Sequence, residues 1–126
     1  MNKLSTIMTT NVIVVKRQTP ISEVIEILLE NNITGLPVVD DDMTLFGIIS
    51  EKDVLSLISV LEDDSAKVED FMTKDVVSFE QDEDLIAICE CLVQNNFRRV
   101  PILSEGKLVG IISRKDIIKY ILEPIR

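Results

Sequence analysis

The sequence predicts an α+β fold, an α/β-type sandwich of two β-α-β-β-α repeats packed sheet to sheet about a pseudo-twofold axis. Three observations predict it. The heptapeptide GIISEKD at 47–53 recurs as GIISRKD at 110–116, with Glu51 against Arg114 the one difference. Around it, 3–39 aligns with 67–103 and 45–58 with 108–121. Of these 51 positions 17 are identical, so the chain is two copies of a whole unit rather than one short motif used twice. Within each copy, short β-rich runs alternate with stretches of helical apolar spacing, and a 46% hydrophobic content that is only 4% aromatic supplies an aliphatic core.

The elements follow in order. The runs 12–15 and 76–79 are rich in β-formers and open each unit as strands. Thr19-Pro20 then marks a helix start, with proline at the first helical position. Ile21, Val24, Ile25 and Leu28 follow at i, i+3, i+4 and i+7, and Leu85, Ile88, Cys89 and Leu92 repeat the pattern. The second of these helices is preceded by Asp82, Glu83 and Asp84, whose charges suit a helix N-terminus. Next come two strands, 36–39 and 100–103, in which Pro37 and Pro101 imply an edge or an interrupted ladder. Each turns into a hairpin partner, 45–49 and 108–112. The turn loses one residue between DDDMT (40–44) and SEGK (104–107), where a hairpin loop tolerates it.

A second helix starts at Ser50 in one copy and Ser113 in the other. Ser-x-x-Asp is close to a capping box, with Ser50 and Asp53, and Ser113 and Asp116, as partners. Residues 59–66, with Glu62, Asp63, Asp64 and Ser65, form the linker, so the repeats are 1–62 and 63–126. A half of this size buries only about 60% of its unfolded surface, so the two faces are expected to cover each other as one combined module.

Composition narrows the function. A net charge of −9 and a pI near 4.4 argue against sequence-independent nucleic-acid binding and against an anionic membrane surface. No stretch approaches the ~20 apolar residues of a membrane helix and no signal peptide is visible, so a cytoplasmic protein without membrane insertion is expected. The chain has no histidine. Cys89 and Cys91 point about 200° apart on a helix, so they neither bridge nor share a metal ion, and Cys89 falls on the core stripe. The acidic runs at 40–42, 63–64 and 82–84 fall at turns and helix starts, which favours solvated turn residues over a metal site. No enzyme is expected.

The heptapeptide admits two readings. It can be scaffold, a helix cap preceded by a glycine packed closely in a strand. It can equally be a ligand site. A helix N-terminus seats phosphate, Ser50 or Ser113 adds a hydrogen bond, Lys52 or Lys115 adds charge, and Asp53 or Asp116 accepts from ribose hydroxyls. A glycine there would let the ligand approach the backbone.

The ordered set of Met-Thr before the first strand, apolar-Pro-apolar strand and Gly-x-x-Ser-x-x-Asp occurs twice. It resembles the cystathionine β-synthase (CBS) domain, and the chain from Lys3 to Leu122 is similar to a tandem CBS pair, or Bateman module. The resemblance implies a regulatory module with two clefts, each taking an adenosine-containing ligand (AMP, ADP or ATP, with S-adenosylmethionine or an NAD-type ligand as other possibilities) and needing no catalytic cofactor. It implies one cleft made from Ile13, Ile33, Thr34, Gly35 and Val38 with Ser113, Lys115 and Asp116. The other would be made from Val77, Phe97, Arg98, Val100 and Ile102 with Ser50, Lys52 and Asp53. Many nucleotide-binding members carry a hydroxyl residue just before the Asp, where this chain has lysine. The resemblance further implies a homodimer and an effector protein that responds to occupancy. Surplus apolar residues on the helices at 54–61 and 117–122 are consistent with a partner surface. The alternative is a structural or dimerisation module whose clefts are unoccupied.

Overall fold

The computed structural model describes residues 3–56 and 66–123. The elements run α1 (Lys3–Ile7), β1 (Val15–Lys16), α2 (Ile21–Asn31), β2 (Gly35–Val39), β3 (Leu45–Ser50) and α3 (Glu51–Leu55). After a 3₁₀ turn at Val68–Asp70 come β4 (Phe79–Glu80), α4 (Leu85–Gln94), β5 (Arg99–Ser104), β6 (Lys107–Ser113) and α5 (Arg114–Leu122). The β-α-β-β-α order of both repeats is as expected, and the fold is α+β with two three-stranded mixed sheets, β1-β2-β3 and β4-β5-β6. In each, the first strand runs parallel to the second and the hairpin closes antiparallel.

The chain forms two compact units, and they do not coincide with the sequence repeats. One is 13–76; the other joins 1–12 to 77–126. The opening segment of each repeat therefore packs with the sheet of the other.

In the unit 13–76, α2 buries Ile21, Val24 and Leu28 against Leu36, Val38 and Ile49 of the sheet, and Val68 completes the core. Segment 66–69 lies antiparallel to 17–21: Ile21 N–H donates to the Ala66 carbonyl, Val68 N–H to Thr19 and Glu69 N–H to Arg17. Ala66 thereby satisfies one of the amides that a helix start leaves orphaned. Thr73 then adds a single antiparallel bridge to the outer edge of β3, exchanging two hydrogen bonds of 3.0 and 2.8 Å with Ile48.

The other unit repeats this plan. Ile88 and Leu92 of α4 pack against Val100, Ile102 and Ile112, with Ile117 of α5, and Leu4 of α1 fills the place that Val68 takes in the first unit. Thr9 bridges Ile111 with bonds of 2.8 and 2.9 Å.

Several local expectations are corrected. The strands opening each repeat are two residues long and sit at the end of the runs 12–15 and 76–79. The reason is the partner: β1 finds pairing only at Val38 and Val39, and β4 only at Ile102 and Leu103, beside the points where the hairpin strands β3 and β6 bulge at Phe46 and Val109. Pro37 and Pro101 thus occupy a central strand on the stretch where only the hairpin side is paired, which is an interrupted ladder. Pro20 is the N-cap of α2, extended at φ −62° and ψ 143°, one position before the expected one. Asp84 caps α4 by accepting from Ile86 N–H at 3.0 Å. The 40–42 run is a turn, with Asp40 Oδ1 accepting from the amides of Asp42 and Thr44. Nearly all of the linker expected at 59–66, and 54–61 beyond Ser56, lie outside the described residues.

Candidate functional site

Both heptapeptides form the same helix start. Ser50 is the N-cap of α3: its hydroxyl accepts from Asp53 N–H at 3.2 Å, and Asp53 Oδ2 accepts from Ser50 N–H at 2.9 Å. Ser113 and Asp116 make the same two bonds at α5, also 3.2 and 2.9 Å. Ser50 and Ser113 are extended at φ −113° and −105°, which brings each side chain back over its helix's third amide. A cap of this kind is worth about 1 kcal/mol, so the scaffold reading holds for this part of the motif.

The cap leaves something over. The first helical amides, Glu51 and Arg114, donate to the carbonyls of Thr34 and Arg98 at 2.9 and 3.1 Å, and the third is held by serine. Among the described residues, the amides of Lys52 and Lys115 have no hydrogen-bond partner, and both lysine side chains are exposed. Each aspartate uses Oδ2 in its cap. Asp53 Oδ1 lies 3.4 Å from the Thr73 hydroxyl, and Asp116 Oδ1 has no partner among the described residues. Each helix start therefore pairs an uncapped amide and an ammonium with a carboxylate oxygen able to accept.

Of the two glycine readings, the closely packed strand glycine fits the structure. A Cβ on Gly47 would stand 2.5 Å from the Thr73 carbonyl oxygen, and one on Gly110 would stand 2.6 Å from Met8 Sδ. The close approach that these glycines allow is already taken by the Met-Thr segment opening the opposite repeat.

Register places the remaining residues. Gly35 pairs with Ser50, and Arg99 with Ser113, so within each unit Thr34-Gly35 and Arg98-Arg99 border that repeat's own helix start. Ile13 and Val77 are exposed, at 41% and 43%. Ile33 and Phe97 are half-buried against their cores, Thr34 and Gly35 are half-buried, and Arg98 is exposed. Val38, Val100 and Ile102 have their side chains in the cores, which leaves only their backbone to offer a ligand.

One residue escaped the sequence reading. Arg114 aims its guanidinium at the end of α4, with Nη2 donating to the Leu92 carbonyl at 3.0 Å and Nε to that of Phe97 at 2.7 Å. Its signal was available, as the lone mismatch between the two heptapeptides. Cys89 lies on the core side of α4 as expected, and burial, aided by Asp84 and Glu90, pushes its thiol above the ordinary value. Among the described residues there is no group of three or more His, Cys, Asp or Glu side chains placed to hold a metal ion, and no helix long and apolar enough to cross a membrane.

The family model for the CBS domain matches residues 4–60 and again 68–123. The chain is a tandem pair of CBS domains. Protein MJ1225 of Methanocaldococcus jannaschii is 39% identical over 115 residues, covering 91% of this chain and 41% of that protein. The CBS pair thus spans well under half of that relative, and it spans 21% of the inosine-5'-monophosphate dehydrogenase of the same organism. Among solved structures, the CBS-pair protein CBSX2 of Arabidopsis thaliana in complex with AMP superposes with a TM-score of 0.87 at 32% identity, covering 98% of both chains. The CBS pair of protein MJ0100, in complex with 5'-methylthioadenosine and S-adenosylmethionine, superposes with a TM-score of 0.77 at 26% identity, covering 96% of both.

Proposed function

We propose that this CBS pair is a regulatory module that binds an adenosine-containing ligand, AMP, ADP or ATP foremost, and passes occupancy to a partner protein. The observation that carries the reading is the helix start, which in both copies sets an amide without a partner among the described residues and an exposed lysine beside an aspartate oxygen outside the cap. Asp116 Oδ1 has no partner among the described residues, and Asp53 Oδ1 has only a long 3.4 Å contact from the Thr73 hydroxyl. Phosphate suits the first two and ribose hydroxyls the third. CBSX2 with AMP, and MJ0100 with two adenosine compounds, support the ligand class. In this reading the wall from Ile13, Ile33 and Thr34-Gly35 works with Ser113, Lys115 and Asp116, and the wall from Val77, Phe97 and Arg98 works with Ser50, Lys52 and Asp53. The ligand serves regulation rather than catalysis and requires no further cofactor.

Thermal denaturation in the presence of AMP, ADP, ATP, S-adenosylmethionine and NADH tests this. A ligand at 100 times its Kd adds about 2.7 kcal/mol of stability. No shift with any of the five rejects the reading and leaves a structural module. Asp53→Ala and Asp116→Ala should each remove one binding event by calorimetry.

The module is also proposed to be a cytoplasmic homodimer. Leu29, Leu55, Val93, Ile118 and Ile121 are exposed by 58% or more, an apolar load that a partner would cover. Sedimentation equilibrium should return twice the 14.2 kDa of the chain, and the monomer mass at micromolar concentration would reject it.

A further inference from the structure

We propose that Arg114 is the positioning residue of the base-side wall in the second repeat, and that it makes the two adenosine sites unequal. The inference rests on the ligand reading above. Helix α4 ends at Gln94, and its last carbonyls have no partner further along the helix. Asn96 takes a left-handed φ of 55°, and Phe97 and Arg98 then run without regular structure into β5.

Arg114 ties this stretch from end to end. Its guanidinium reaches Leu92 O at 3.0 Å and Phe97 O at 2.7 Å, with a long contact of 3.5 Å to Asn96 Oδ1, while its backbone N–H reaches Arg98 O at 3.1 Å. A cation at the end of α4 is further favoured by the helix dipole. The geometry is that of a planar fork spanning two carbonyls, which an ammonium does not reproduce.

The first repeat lacks the clamp. Glu51 stands at the matching position and contributes only its backbone N–H, to Thr34 O. Its exposed carboxylate can only accept hydrogen bonds and so cannot donate to backbone carbonyls as the guanidinium does. The Ile33-Thr34 wall is held instead by the left-handed cap at Asn32 and the bond from Ile33 N–H to Leu28 O. The Phe97-Arg98 wall is therefore ordered before ligand arrives, and a ligand resting on it loses less freedom on binding.

The signature is counter-intuitive. Arg114 is the sequence neighbour of Ser113, Lys115 and Asp116, yet the ligand reading above assigns the wall it holds to the site with Asp53. Titration calorimetry with AMP on single-site variants reads this out. In an Asp116→Ala background, which retains the Asp53 site, Arg114→Ala should weaken AMP roughly tenfold, within the usual range for coupling between groups. In an Asp53→Ala background it should change affinity less than about twofold. Arg114→Lys should restore only part of the loss.

A loss falling on the Asp116 site, an equal loss at both, or full rescue by lysine overturns the proposal. Hydrogen exchange without ligand gives a second measure: the amides of 96–98 should exchange faster in Arg114→Ala than in the parent chain. Unchanged protection overturns the clamp even if AMP binds. If AMP binds no form of the protein, the ligand reading fails, and the exchange result still decides whether Arg114 positions the loop.

Discussion

Leu4→Ala should destabilise this protein as strongly as a mid-core truncation, by about 2–5 kcal/mol. Leu4 is 1% exposed and packs with Ile88, Leu92, Val100, Ile102, Ile112 and Ile117, the core beneath the second repeat's sheet. Truncation leaves a cavity that close-packed neighbours only partly fill, and the site is anchored on both sides. The short helix α1 holds Leu4 through Met8 N–H, and the Thr9–Ile111 bridge pins the segment two residues beyond Ile7. A loss of that size is a large share of the stability of a small domain and lowers Tm on the order of 10 °C. Leu29→Ala is the control, because Leu29 is 77% exposed and should cost under about 0.5 kcal/mol. Urea denaturation of both variants decides. Equal midpoints would mean that 3–9 contribute nothing to the unit. Val68 plays the matching part in 13–76 at 0% exposure, so Val68→Ala should act in the same direction through the other core, with fewer atoms lost.

That result bears on what was legible in the sequence. Features set by neighbours three or four residues apart were plain. The capping boxes, the apolar stripes of α2 and α4 and the Asp40 turn depend on local geometry, and each is found where the spacing put it. Features that depend on a distant partner were not. The length of β1 is set by where it meets Val38 and Val39, some twenty residues on, and nothing in 12–15 records it. The destination of the Met-Thr segments was hidden by the repeat itself. Two near-identical sheets offer two equivalent edges, and local pattern does not choose between them. The clue lay in pairing two repeated features, a glycine needing room and a methionine able to fill it.

At the candidate site the same division holds. Ser50, Asp53, Ser113 and Asp116 were legible because the cap and the second carboxylate oxygen belong to one local motif. Val38, Val100 and Ile102 came from the family resemblance, but their side chains are buried in the cores. Arg114 was invisible as a function because its targets, Leu92 and Phe97, are 22 and 17 residues away. A mismatch inside a repeated motif marks a position where the copies carry different duties.

Gly47→Ala is the second large effect, and its sign is diagnostic. In an extended strand, Gly→Ala ordinarily stabilises by about 0.4–1 kcal/mol by restricting the unfolded chain. Here the new Cβ would stand 2.5 Å from the Thr73 carbonyl oxygen, 3.1 Å from Met72 Sδ and 3.3 Å from Met72 Cγ. The carbonyl has no easy retreat, since it accepts from Ile48 N–H at 3.0 Å in the bridge that holds the segment to β3. Overpacking against fixed backbone costs about 1–3 kcal/mol. Gly110→Ala should cost less. Its nearest neighbours are Met8 Sδ at 2.6 Å and Met8 Cγ at 2.9 Å, on a flexible side chain, and the Thr9 carbonyl is further off at 3.0 Å. A double-mutant cycle separates the two cases. Met8→Ala should recover much of the Gly110→Ala penalty, whereas Met72→Ala should recover little of the Gly47→Ala penalty, because the obstructing atom is the backbone of Thr73. Stabilisation by Gly47→Ala, or full rescue by Met72→Ala, would show that the edge of β3 is not closed by that carbonyl. The glycine of the heptapeptide would then be open to a ligand after all.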